Sequence, residues 1–242
     1  MKHSSVDVRP VTTAARVYAI LRQDIVTMRL KPGATLVEKD LCRAFDVSRT
    51  PLREALLRLC EEQLVDVYPQ AGTFVSRIAE PAVRDAMAIR QALEQVAARH
   101  AAIRADAAGL ARLRRILARQ KEHAAAGALD EFHWADEALH QAVAEIARHP
   151  NIWRVVKREK AQIDRFRLLT LPLPARVERV IAEHEAIVEA IADRDPNAAE
   201  AAMRAHLDSV LPVFEEIRRA YPDLFELEAR PDAPRARRAA AP

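Results

Sequence analysis

The segment Leu36–Val75, LVEKDLCRAFDVSRTPLREALLRLCEEQLVDVYPQAGTFV, allows few folds. Before it, Thr13–Met28 carries Val17, Ile20, Leu21 and Ile25 at helical spacing, and Lys31-Pro32-Gly33 ends that helix in a turn. A second short helix is predicted over Val37–Phe45, and Asp46-Val47-Ser48 is the turn that follows. The third helix runs to about Gln63 with Leu52, Ala55, Leu56 and Leu59 inward. Thr50 is the expected N-cap, with Pro51 at the first helical position, where a missing N–H costs little; Ser48 is the alternative cap. Leu64–Tyr68 and Thr73–Ile78 are β-branched and aromatic runs around Pro69-Gln70-Ala71-Gly72, which suits a hairpin tip. Helix, turn, helix and hairpin in this order form a winged helix-turn-helix, a module that lays its last helix in the major groove of double-stranded DNA.

The first turn of that helix offers Arg49, Thr50 and Arg53 to base edges. An arginine can pair bidentately with guanine, and a threonine can touch a thymine methyl or a phosphate. Lys39 on the preceding helix is placed for the backbone, and Gly72 lets the wing tip approach closely. Charge agrees: residues 1–78 hold twelve Lys/Arg against nine Asp/Glu, whereas the remainder is balanced at twenty-six each. The four glycines, Gly33, Gly72, Gly109 and Gly127, are too dispersed for a dinucleotide fingerprint or a phosphate loop. Cys42 and Cys60 fit reduced thiols better than a disulfide framework. With no long apolar run and a polar start, MKHSSVDVRP, neither a membrane span nor a signal peptide is expected, and the location is read as cytoplasmic.

Glu80-Pro81 marks a change, after which the sequence is helical throughout. The expected architecture is mainly α: a winged helix-turn-helix over 1–78, an all-helical bundle over 79–228, and a disordered Ala/Arg/Pro-rich tail over 229–242. In the bundle, Ala82, Ala86, Ile89, Leu93, Val96 and Ile103 mark the inner row of the first helix, with His100 in it. Helices follow over Ala107–Ala125, Asp130–Arg148, Asn151–Leu169, Arg176–Asp193 and Asn197–Ala220.

Asp136 and His140 share a helix face at i,i+4. His184 lies in the row Val177, Val180, Ile187, Ile191, and His206 in the row Ala199, Ala202, Val210, Val213, so both point inward. Three imidazoles and a carboxylate on separate helices suit a divalent ion, Zn²⁺ first, with Ni²⁺ or Mn²⁺ acceptable to the same donors. The same spacing also fits hydrogen-bonded core histidines, and His133 on the Asp136 face shows how readily it arises. Arg90, bordering the inner row one turn before Glu94, reads as a local ion pair or as a clamp for an effector carboxylate. Arg165 and Arg167 read either as facing the cavity or as solvated, and solvent is the expectation for both.

"LVEKDLCRAFDV", "SRTPLREAL" and "LVDVYPQAGTFV" together resemble the DNA-binding domain of the GntR family of bacterial transcription regulators. The resemblance implies operator contacts from Lys39, Ser48, Arg49, Thr50, Arg53 and the wing at Gly72. It departs at Cys42, where a small residue is usual. "DEALHQAV" and "EHEAIVEAIADRDPNAAEAAMRAHL" resemble the FCD ligand-binding domain of the FadR subfamily, and the separations of 44 from His140 to His184 and 22 from His184 to His206 agree. It departs at Arg148-His149-Pro150-Asn151, where a small residue and Gly usually precede the Asn. This second resemblance implies a metal held by Asp136, His140, His184 and His206, a small carboxylate beside it, and Arg90 toward that carboxylate. It leads to the expectation of a homodimeric, effector-controlled repressor on operator DNA. A metal-sensing repressor and a zinc-dependent hydrolase are the alternatives.

Overall fold

The structure, a computed structural model, describes residues 12–226. The polar start and the expected tail over 229–242 lie outside the described residues. The first helix, α1 (Thr13–Val26), opens at Thr12, whose Oγ1 accepts from the Ala15 N–H at 3.1 Å. α2 (Glu38–Phe45) is closed by Asp46 in the left-handed region at φ 52, a conformation that Asp tolerates. α3 (Arg49–Glu61) begins two residues earlier than a Thr50 cap would place it. Ser48 holds the cap position without a side-chain cap bond, and Pro51 is the third helical residue. Proline is harmless there because the first four helical N–H groups have no intrahelical acceptor.

The hairpin β1 (Val65–Tyr68) and β2 (Gly72–Val75) pairs antiparallel, with Val65 opposite Val75 and Tyr68 opposite Gly72. Gly72 has φ +122, where a side chain would be strained. Val17, Leu21, Ile25, Leu52, Leu56, Leu59, Leu64, Val65 and Val75 close a core between α1, α3 and the hairpin. The second strand stops at Val75, short of the expected Ile78. Ile78 instead pairs in parallel with Phe225: its N–H donates to Leu224 O at 2.9 Å, and Glu226 N–H donates to Ile78 O at 3.0 Å.

The remaining helices are α4 (Glu80–Arg104), α5 (Ala107–Ala125), α6 (Leu129–Ile146), α7 (Pro150–Glu159), α8 (Ala161–Thr170), α9 (Arg176–Ala192), α10 (Pro196–Asp208) and α11 (Phe214–Ala220). α4 is the central one, packed against α6, α7, α8, α9 and α10. Its inner face is not the expected row. Val96 and Ile103 are exposed, while Val83, Ala86, Met87, Arg90, Glu94, Ala97, Ala98 and Ala101 are buried. A helix enclosed by neighbours packs closely through small side chains, so alanines rather than the largest apolar residues mark its inside.

Two expected long helices are each divided. The chain breaks at Lys160, whose ammonium turns inward to Glu137 and Asp164. After α10 the Ser209 hydroxyl donates to His206 O at 2.7 Å, and Pro212 lacks a donor, so a 3-10 turn over Leu211–Val213 separates α10 from α11. No described helix is long and apolar enough to cross a membrane.

The returning C-terminal segment is pinned by an aromatic cluster. The Phe166 and Phe214 ring centroids are 4.9 Å apart, and those of Phe214 and Phe225 5.4 Å. Phe166 is fully buried. Phe166→Ala is expected to destabilise the chain by about 3–5 kcal/mol. Urea unfolding followed by circular dichroism checks the value.

Candidate metal centre and DNA-reading face

Ser48, Arg49, Thr50 and Arg53 are all exposed at the start of α3, as are Lys39 on α2 and Gly72 on the hairpin. Arg53 Nε reaches Glu38 Oε2 at 3.1 Å, which ties the first turn of α3 to α2. Lys39 and Arg49 form no ion pair with another described residue. A row of exposed donors at a helix start, beside an exposed hairpin, is a surface able to meet phosphates and base edges.

The second site lies inside the bundle. α6 supplies Asp136 and His140, α9 supplies His184, and α10 supplies His206. All four are at most 2% exposed, and one ligand atom from each lies within 4.8 Å of the others. The ring centroids of His184 and His206 are 4.5 Å apart, and those of His140 and His206 5.2 Å. Asp136 Oδ1 is 3.5 Å from His184 Nε2.

Each imidazole has an oxygen close to its Nδ1, and for His184 and His206 that oxygen is a hydrogen-bond partner. Glu94 Oε2 lies 2.5 Å from His140 Nδ1, Gln120 Oε1 lies 2.9 Å from His184 Nδ1, and Glu183 Oε2 lies 3.0 Å from His206 Nδ1. For His184 and His206 that hydrogen bond puts the ring proton on Nδ1 and leaves the Nε2 lone pair facing inward, whereas His140 Nδ1 and Glu94 Oε2 touch without hydrogen-bond geometry. Asp136 Oδ2, His184 Nε2 and His206 Nε2 are buried with no hydrogen-bond partner. Orphaned buried acceptors are uncommon, and here they share one space. These donors fit a divalent cation.

Residues 85–209 match the FCD domain, and residues 13–75 match the bacterial regulatory proteins of the gntR family. The chain belongs to the GntR family. It is similar to an HTH-type transcriptional regulator in an unstable DNA locus of Streptomyces ambofaciens, at 38% identity over 90% of this chain and 92% of that one. It is also similar to the HTH-type transcriptional repressor RspR of Escherichia coli, at 34% identity over 88% and 93%. Among solved structures it shares the fold of E. coli McbR/YncC, with a TM-score of 0.74 at 20% identity over 88% of this chain and all of that one. The chain is thus a DNA-binding transcriptional regulator and not an enzyme.

Within this GntR-family chain, the surroundings of the four residues hold several groups that sequence reading misplaced. Arg167, expected in solvent, is buried with Nη2 2.5 Å from Asp136 Oδ1. Arg165, also expected outside, is completely buried against the hairpin end, where Nη1 donates to Ser76 O at 2.6 Å. Arg90 sits at the middle of the inner face of α4, not at its border. Its Nε donates to Glu94 Oε1 at 2.6 Å, and its Nη2 lies 3.3 Å from His140 Nε2. Glu183, next to His184 in sequence, reaches His206 on the next helix. Gln120 was legible in hindsight: it continues the buried row Leu113, Leu117 of α5.

Electrostatics keep the set ready for a cation. Burial would raise the Asp136 carboxyl, but Arg167 and the adjacent imidazoles hold it well below the usual range. Burial likewise works to raise Glu94, and Arg90 and His140 outweigh it. Burial and the neighbouring His206 push His184 far down. Burial lowers His206 to about 4 against the opposing pull of its Glu183 hydrogen bond. His184 and His206 are therefore neutral near pH 7, the form that binds a metal.

A depressed histidine makes the metal-free chain acid-sensitive. The unfolded His206 takes up a proton near 6.5, which the folded core refuses until about 4. The unfolded state then binds more protons, so stability falls as pH drops through that window, by up to about 3 kcal/mol from this residue. Urea titrations of chelator-treated protein across the window check the sign. His206→Gln is expected to flatten the slope.

Proposed function

We propose that this regulator is a repressor whose grip on its operator is controlled by a small carboxylate, bound beside a divalent metal in the helical domain. The observation that carries the reading is the convergence of three imidazoles and the Asp136 carboxylate, with His184 and His206 anchored through Nδ1 by Gln120 and Glu183 and His140 in contact with Glu94. Asp136, His140, His184 and His206 would hold the ion, most naturally Zn²⁺, with Ni²⁺ or Mn²⁺ accepted by the same donors. When bound, the ion supplies a positive centre with coordination positions open to an oxygen ligand.

The chain's own residues supply the rest of an anion site. Arg90 Nη1 is buried without a partner beside His140, and a guanidinium offers a carboxylate two parallel donors. Arg176 is buried as well, donating to Ser209 Oγ at 3.1 Å, with its Nε unpartnered and no carboxylate at contact distance. On the outside, Lys39, Ser48, Arg49, Thr50, Arg53 and the wing at Gly72 are the proposed operator contacts. The proposed division is a reading head over 1–78 and a sensing domain over 79–228. A homodimer accounts for Val96 and Ile103 standing exposed on α4, and two heads would then meet half-sites one DNA turn apart.

Operator fragments selected from genomic DNA with the purified chain provide the test. Arg49→Ala is expected to weaken binding by about 1–3 kcal/mol and to relax the base preference at one position. Adding small organic acids to the metal-loaded protein is expected to release the fragment. An operator affinity indifferent to every acid, yet altered by a chelator, would leave the ion itself as the signal.

Elemental analysis with native mass spectrometry reads metal and subunit count together. One ion per chain is expected in the wild type and none in His206→Ala, with DNA binding by the free protein largely retained. Unchanged metal content in that variant would refute the four-residue site.

A further inference from the structure

The sensing centre and the reading head touch opposite faces of one helix. At 3.6 residues per turn, Lys160, Asp164 and Arg167 fall within about 60° of one another around α8, and Ala161, Gln162 and Arg165 are centred about 140° away. The first face belongs to the sensing domain. Lys160 binds Glu137 of α6 and, at 2.5 Å, its own neighbour Asp164, while Arg167 binds Asp136. The second face belongs to the head. Ala161 is part of the buried core that α1, α3 and the hairpin close. Gln162 Nε2 donates to Gln63 O at 2.6 Å, and Arg165 donates both to Ser76 O and to Gln162. All six residues are at most 5% exposed.

We infer that α8 couples the proposed metal centre to the DNA-reading head, with Arg167 as the positioning residue that links Asp136 to the helix. The inference rests on the metal reading above. Asp136 spends Oδ1 on Arg167 while Oδ2 has no partner. A cation held at Oδ2 draws on the same carboxylate charge and repels the guanidinium on its other oxygen. Arg167 and the helix that bears it therefore have a different lowest-energy position in the loaded and unloaded states.

The far side of α8 meets the head at its most sensitive point. Ser76 is the first residue after β2, and its N–H donates to Leu64 O at 3.0 Å. Two residues on, Ile78 is fixed by the strand-like pairing with Phe225. The link between wing and α4 is thus clamped from both sides, and a shift of Arg165 has nowhere to dissipate. Arg165 is fully buried with no carboxylate at ion-pair distance, and burial draws its guanidinium down to about 10. Such a residue is a poor choice for stability alone, and its carbonyl contacts are those of a connector.

Hydrogen–deuterium exchange on the full chain, with and without Zn²⁺, tests this. Zn²⁺ is expected to slow exchange around residues 136–140 and 184–206 and also to change exchange over 62–76 by roughly five-fold or more, the lower end of ordinary coupling between sites. Arg167→Gln is expected to bind Zn²⁺ while the response over 62–76 disappears, and Arg167→Lys to restore part of it. Zn²⁺ bound at the centre with exchange over 62–76 unmoved in the wild type overturns the coupling and leaves the metal site standing. An Arg167→Gln response equal to that of the wild type removes Arg167 from the path. A wild type that binds none of Zn²⁺, Ni²⁺ and Mn²⁺ removes the centre itself, and the coupling falls with it. The wild-type comparison needs no variant, so a poorly folding substitution does not block the decision.

Discussion

Three imidazoles and a carboxylate face one another inside the helical bundle, and much of the buried polar chemistry there is arranged around them. Each buried acceptor without a partner costs about 1–3 kcal/mol, and Asp136 Oδ2, His184 Nε2 and His206 Nε2 all stand in that state. A core selected only for stability would fill the space with Leu and Ile. The expense extends outward, since Gln120 and Glu183 are each committed to holding one ring by a hydrogen bond and Glu94 is buried against the third. These three come from α4, α5 and α9, so the centre also fixes how five helices, α4, α5, α6, α9 and α10, sit against one another.

The reading head is not a bead on a loose tether. Its hairpin ends at Val75, and by Ile78 the chain is already paired with the returning C-terminal segment. Arg77 Nε donates to Asp223 O at 3.0 Å on the same side. Arg22 of α1 adds a bond to Lys157 O at 3.2 Å, at the end of α7. With Ala161 inserted into its core, the head's pose is a property of the helical domain. Altering that pose is consequently the mechanical route by which the interior can affect the DNA-facing surface.

The parts legible from sequence are those determined locally. Turn chemistry at Asp46 and Gly72 and the β-branched runs around them are short-range signals, and the winged head follows from them. His184 was readable because Val180, Ile187 and Ile191 repeat at its period on α9, and His206 because Ala199 on α10 and Val210 just beyond that helix share its row, all of them buried. On α4 the largest apolar side chains do not mark the inside, because close packing against its neighbours favours alanine there while Val96 and Ile103 stand exposed. Arg167 was illegible for a different reason. Its partner Asp136 lies on another helix, 31 positions earlier, and no spacing rule connects them, so the ordinary expectation of a solvated arginine prevailed. The break at Lys160 escaped notice likewise, because it accompanies an inward ion pair to Glu137 rather than a proline or glycine.

Charge decides what the proposed centre would admit once loaded. The charged side chains that touch the four residues are Glu94, Glu183, Arg90 and Arg167, which with Asp136 itself make three negative and two positive groups. A divalent ion turns that deficit of one into an excess of one, in surroundings where an uncompensated charge is costly. A monoanion then restores neutrality, and Arg90, with an unspent donor beside His140, supplies the hydrogen bonds to orient it. In this reading the ion and the carboxylate each raise the other's affinity by the same factor, because linkage between two sites is reciprocal. The metal becomes a standing requirement and the anion the variable signal. That ordering matches a site whose ion is gripped by four buried donors while the anion is held by fewer contacts.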